Sequence, residues 1–287
     1  MSWINDKEII TETYFETLNL NNLELFGVIK EHLDEIQPIF PIIKFVISRL
    51  ETVSTLTTDD RIWDAEIVLR SALETLIKLL FIINADEDEQ KKRIDEYWNQ
   101  LSEINSLKLS NQAITNLECF PESEAHKLAY SPIILSEEKL NQLRTKWSKK
   151  ERQKLEQKWS FSQMIMSLSK NFNGKEFKML EGLLYSYRMC SHVTHGDETG
   201  VLIIEERDGR SPDQKDIAYN AHYLRLISDC AWYSYWLTIN VLKFLKVEEK
   251  IKYFSENMTR LEKVENLCKK YHDLLFDDED YDKYRNK

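Results

Sequence analysis

The chain has 287 residues, of which 42% are hydrophobic and 31% charged, enough apolar material for a packed core, and this excludes disorder of the chain as a whole. Six glycines and five prolines are too few for turn-rich sandwiches, propellers or glycine-rich phosphate loops. A net charge of -10 excludes a broad basic footprint for nucleic acid, so any such contact must be local.

The opening MSWINDKEII has no basic segment leading into an apolar core. The longest charge-free apolar stretch, Cys230 to Leu242, covers only 13 residues and includes polar ones. Neither a signal peptide nor a membrane span is expected. Cys119, Cys190, Cys230 and Cys268 lie far apart without a CxxC pair, which suits reduced thiols in a cytoplasmic protein.

Apolar residues recur at spacings of three and four rather than two, so the predicted fold class is all-α, a multi-helix bundle of eight to ten helices in a single domain, 1–287. The first group runs from Lys7 to Ile83, and Pro38 and Pro41 break or kink a helix that would otherwise span Leu23 to Leu50. Thr57 and Thr58, before Asp59 and Asp60, read as the cap of the next helix. That helix carries an apolar stripe at Ile62, Ala65, Leu69, Ala72, Leu76 and Leu80. Beside it lies a second stripe, Trp63, Ile67, Arg70, Glu74, Ile77 and Phe81, interrupted by Arg70 and Glu74. A helix apolar on two faces is buried between neighbours, so Arg70 and Glu74 are expected to form an enclosed pair. Such a pair stabilises poorly and calls for a reason, either helix register or a polar site.

A further helix is predicted at Lys91–Leu107. The stretch Ser110–Leu135, less periodic and holding Pro121 and Pro132, opens a region, 108–160, that reads as an insertion. The one local basic excess follows: Arg144, Lys146, Lys149, Lys150, Arg152, Lys154 and Lys158 against Glu151 and Glu156. Its readings are the solvated face of an amphipathic helix or an RNA phosphate track with Trp147 and Trp159 available for stacking. Helices are predicted at Lys175–His195, Asp213–Leu245 and Glu248–Phe276, before an acidic end, DDEDYDKY. VLIIEERDGRSPD reads as one short hairpin. No period of 20 to 50 residues marks a solenoid.

The helix ending YRMCSHVTHG begins apolar, at Phe177, Leu180 and Leu184, and ends in Tyr187, Arg188, Ser191 and His195. At about 100° per residue, Arg188 and His195 fall within roughly 20° of each other, with Ser191 and His192 flanking that line. Gly196 supplies the left-handed residue that commonly ends a helix. Cys190, His192, His195 and Asp197 lack a convincing fourth ligand, so no metal site is assigned and no cofactor is implied. Asp229, among Trp232, Tyr233, Tyr235 and Trp236, is a candidate partner for Arg70 or His195, or has a simple capping or register role. His32, His126, His222 and His272 read as isolated, ordinary surface or hydrogen-bonded histidines.

The Tyr187, Arg188, Ser191, His195 and Gly196 set, together with the Arg70 and Glu74 helix RSALETLIKLLFI, resembles an uncharacterised bacterial family of all-helical proteins with an RxxxE helix and a YRxxSxxxH helix. The spacing from Arg188 to His195 is also similar to the Arg-x4-6-His signature of the HEPN superfamily, which includes toxins and antiviral ribonucleases. That resemblance implies a metal-independent endoribonuclease, a toxin or defence effector, whose motifs meet across a homodimer, with an inhibitory or regulatory protein as a further partner. His195 would move a proton of the ribose 2'-hydroxyl or the leaving 5'-oxygen, as an imidazole with a reference pKa near 6.5 can. Arg188 would bind the phosphorane-like transition state. Ser191 and Tyr187 would orient His195 or touch phosphate, His192 would support the same face, and Arg70 and Glu74 would buttress it. Met189 stands where HEPN ribonucleases often carry a polar residue. The alternative is therefore a noncatalytic nucleotide- or protein-binding module.

Overall fold

The computed structural model describes residues 3–277. All its regular elements are helical: α1 (Trp3–Glu31), the single turn α2 (Leu33–Ile36), α3 (Phe40–Thr58), α4 (Ile62–Ile83), α5 (Glu87–Asp95), α6 (Leu101–Cys119), α7 (Glu124–Tyr130), α8 (Glu137–Lys146), α9 (Lys149–Lys158), α10 (Phe161–Lys170), α11 (Leu183–His195), α12 (Glu198–Asp208), α13 (Pro212–Phe244), α14 (Ile251–Met258) and α15 (Glu262–Phe276). Among the described residues there is no strand, and no helix is long and apolar enough to cross a membrane. The acidic end beyond residue 277 lies outside the described residues. The chain divides into two compact units, one of Met1–Asn84 with Leu168–Lys287, the other of Ala85–Ser167.

In the first unit α4 packs against α3, α11 and α13, while α13 also meets α1, α3 and α15. The predicted α4 stripe of Ile62, Ala65, Leu69, Ala72, Leu76 and Leu80 is buried throughout. The proline break is present: α1 ends at Glu31, and α3 restarts at Phe40 with Pro41 in its first turn, where a missing N–H costs nothing.

In this unit four sequence expectations change. Thr57 and Thr58 end α3 instead of capping α4: their hydroxyls bond back to the carbonyls of Val53 at 2.7 Å and Thr55 at 2.8 Å, satisfying the outgoing turn. The hairpin is absent. Asp197 caps α12 through the Gly200 N–H at 3.1 Å, so VLIIEERD is helical, and Ser211 with Gln214 forms a capping box that opens α13 after a short turn. A lone two-stranded ribbon has little to stabilise it, and these caps favour helix on both sides. The helix predicted from Lys175 begins at Leu183, because Asn173 and Gly174 take positive φ (52° and 77°) in a tight turn, followed by a 3₁₀ segment, Lys178–Gly182. The predicted Glu248–Phe276 helix is two helices, α14 and α15, separated by a 3₁₀ turn.

The second unit is built on α5 and α6, joined through a π-helical turn, Glu96–Gln100, so that the helix predicted to stop at Leu107 continues to Cys119. Trp147 and Trp159, each ending a ten-residue helix, are buried. Their indole N–H groups donate to Glu103 at 2.7 Å and Glu96 at 2.9 Å, with Lys146 and Lys158 on the same carboxylates. They are thus core anchors, which removes them as stacking platforms for RNA. Along α9, Lys149, Lys150 and Lys154 are exposed and Arg152 is half-buried.

Candidate functional site

The site is assembled where α11 lies along α4. Residue spacing puts Tyr187, Cys190 and Thr194 on the face of α11 directed at α4, and Arg188 and His195 one residue further round. Gly196, at φ 56°, ends α11 as expected. His195 is exposed in the last turn, and its Nε2 lies 3.3 Å from Nη1 of Arg70. Because guanidinium only donates, the imidazole accepts there, in the tautomer with its proton on Nδ1. Arg70 Nη2 donates to the Tyr187 hydroxyl at 3.1 Å, and its guanidinium carbon sits 5.0 Å from the centre of that ring.

Arg70 and Glu74 are half-buried, and they do not form the closed pair the sequence suggests. The Tyr187 hydroxyl stands between them, donating to Glu74 at 3.3 Å, while Lys78 holds the other Glu74 oxygen at 2.7 Å. Burial works against the Glu74 carboxylate, but Lys78 and Tyr187 outweigh it and keep its pKa below the ordinary value. Arg70 Nε is buried without a hydrogen-bond partner. This guanidinium is held over Tyr187 with part of its donor set unspent.

Arg188 is exposed on the same side of α11 as His195, and neither it nor Ser191 has a hydrogen bond or ion pair among the described residues. His195 meets Arg70, whose other terminal nitrogen is held by Tyr187. His192 donates from Nδ1 to Asp197 at 2.7 Å, a bond that pulls the Asp197 carboxyl below its ordinary pKa. No group of three or more metal-ligating side chains occurs among the described residues. Lys149, Lys150, Arg152 and Lys154 belong to the other compact unit.

The closing of α12 onto α11 depends on Gly200. A Cβ there would lie 2.3 Å from the His192 carbonyl oxygen, a backbone atom that cannot swing aside. Gly200→Ala is expected to cost ~1–3 kcal/mol through this overlap, read as an earlier denaturation midpoint, and to displace the turn that carries His195.

Sequence reasoning missed a second polar group on the same helices. Glu66 of α4, buried, accepts from the Cys190 thiol at 3.0 Å and also holds His222 Nε2 and the Arg225 guanidinium. Arg207 donates to His222 Nδ1, which fixes the tautomer, and Arg225 reaches on to Asp229 at 2.9 Å. Burial, with the Arg207 charge beside it, pushes His222 down to about 3, so it is a neutral donor. Burial likewise pushes the Cys190 thiol up to about 12. Asp229 thus pairs with Arg225 one turn before it on α13, which fits a register role and not a pair with Arg70 or His195, and His222 is a hydrogen-bonded histidine within a cluster, not an isolated one. A signal was present: Glu66 interrupts the apolar run Ile62, Leu69, Leu73, and His222, Arg225 and Asp229 recur at three and four along α13.

A family of unknown function (DUF5677) matches residues 38–210. The chain belongs to the DUF5677 family. In this DUF5677 chain the matched span takes in Arg70, Glu74, Tyr187, Arg188 and His195, while His222, Arg225 and Asp229 follow it. No curated protein and no solved structure matches the DUF5677 chain.

Proposed function

We propose that this chain is a HEPN-like, metal-independent endoribonuclease, acting as a toxin or antiviral effector and working as a homodimer. The observation that carries the reading is the Arg70–His195 contact: an exposed imidazole at a helix end with a guanidinium held on one of its nitrogens and the Arg188 guanidinium exposed two turns back. A phosphodiester entering this face offers Arg70 and Arg188 better acceptors than an imidazole. When Arg70 turns to the phosphate it releases His195 Nε2, which takes the proton of the ribose 2'-hydroxyl. That oxygen attacks phosphorus, the bond to the 5'-oxygen breaks, and the imidazolium returns its proton to the departing oxygen. Tyr187 and Glu74 hold Arg70 in place before substrate arrives.

The test is incubation of the pure chain with mixed RNA in EDTA. Cleavage that survives the chelator and leaves 2',3'-cyclic phosphate ends supports the reading. The second reading, a noncatalytic binding module, draws on Met189 standing directly after Arg188. Intact RNA at high protein concentration, with a stable nucleotide or protein complex, supports that one instead.

A further inference from the structure

In the second unit, the segments 136–147 and 148–159 repeat one pattern. Each opens on a serine N-cap and runs a helix with leucine seven, lysine ten and tryptophan eleven residues after the serine. Each ends with its lysine and indole on one carboxylate, Glu103 for α8 and Glu96 for α9. The charge of the first turn differs. Helix α8 begins Glu137 and Glu138, as an N-terminus favours, whereas α9 begins Lys149 and Lys150, against the positive end of its own dipole. The pattern forms with either sign, so packing does not dictate those lysines.

Leu155 and Trp159 are the buried side of α9, and at about 100° per residue the arc opposite them holds Lys149, Lys150, Gln153, Lys154 and Gln157. All five are exposed, and none is acidic. The two glutamates of the helix are engaged elsewhere: Glu151 accepts from the Ser148 backbone N–H at 2.9 Å, and Glu156 pairs with Lys108. Lys149, Lys150 and Lys154 have no hydrogen bond or ion pair among the described residues, and Lys150 repels Lys154 one turn on. Over residues 144–158, seven basic and two acidic side chains give +5 in a chain of -10, which leaves -15 on the remaining residues. A cationic face so segregated and unpaired is complementary to a polyanion, and its glutamines can donate to phosphate and sugar oxygens. It offers no apolar side chain to enter a lipid surface.

We propose that the outward face of α9 binds the phosphate backbone of nucleic acid without reading its bases. Trp147 and Trp159, the neighbouring aromatic residues in the sequence, are buried, so stacking adds nothing and single and double strands are held alike. The proposal stands apart from the ribonuclease reading, because it needs neither His195 nor cleavage.

The test is fluorescence anisotropy of the full chain, carrying His195→Ala and in EDTA so that the probe stays intact, with a labelled RNA in single-stranded and duplex form over a series of salt concentrations. Lys149→Glu, Lys150→Glu and Lys154→Glu together are expected to weaken binding at least tenfold at low salt and to reduce the salt slope by roughly 2–3, as the loss of three phosphate contacts does. The residues are exposed and the reversal copies the first turn of α8, so the denaturation midpoint should hold. Reversing Lys91, Lys92 and Lys127, which are paired with Glu87, Glu89 and Glu124, changes the net charge equally in the same unit and should weaken binding less than threefold. Equal losses in the two triple variants, no loss in either, no RNA binding at all, or binding of the single strand alone each overturn the proposal. Phosphatidylserine vesicles held by the wild type and released by the α9 variant, with RNA ignored, would assign the face to a membrane instead. RNA held through α9 but never cut by the wild type upholds this face and overturns the ribonuclease; RNA bound and cut by the α9 variant as by the wild type does the reverse.

Discussion

His195→Ala is expected to lower RNA cleavage by ~10²–10⁴-fold, the range for losing a positioned proton-transfer group. The fold should be untouched. His195 is exposed, and its one hydrogen bond is a 3.3 Å contact at the rim of Arg70, so the denaturation midpoint should stay within about 0.5 kcal/mol of wild type. Rate and stability together distinguish chemistry from collapse. A cleavage rate unchanged by the substitution would remove the imidazole from the mechanism, since none of the other described histidines stands on the Arg188 side with both properties: His192 is tied to Asp197, and His222 is buried and neutral.

Glu66→Ala should have the largest effect on stability, a loss of ~3–5 kcal/mol measured by chemical denaturation, the usual result of deleting one partner from a buried charged group. The carboxylate is the single acceptor shared by the Cys190 thiol, the His222 imidazole and the Arg225 guanidinium, from α11 and α13. Removing it leaves the buried Cys190 and His222 donors without their acceptor, while Arg225 keeps Asp229. Glu66→Gln should lose less, because an amide oxygen can still accept from neutral His222 but no longer balances Arg225. Equal losses for the two variants would mean that hydrogen bonding, and not charge, decides the energy there.

The helices were legible because periodicity and end signals agree: the buried stripe of α4, the Gly196 terminus of α11 and the proline restart at α3 could each be read locally. Where local signals conflicted the reading failed. VLII looks like a strand until Asp197 is recognised as a cap, and Thr57 and Thr58 look like caps until their hydroxyls are seen bonding backwards. The site was legible only as far as one helix reaches. Spacing alone puts Arg188 and His195 on one side of α11, but that Arg70, 125 residues away, meets His195 is a tertiary fact. The same holds for Arg70 and Glu74: neighbours on a helix read as a pair, and only the packed structure inserts Tyr187 between them. Glu66, Arg207, His222 and Arg225 each pass for surface groups in isolation, and burial turns them into one network.

The interrupted first unit has a consequence for synthesis. Helices α1, α3 and α4 emerge from the ribosome long before α13, the element they pack around. At ~5–20 residues per second the interval between Asn84 and Phe244 is on the order of ten seconds or more. The contiguous segment Ala85–Ser167 completes itself within that interval, whereas the earliest helices wait with their greasy sides bare. Until α13 follows, α1, α3 and α4 lack the helix that all three pack against.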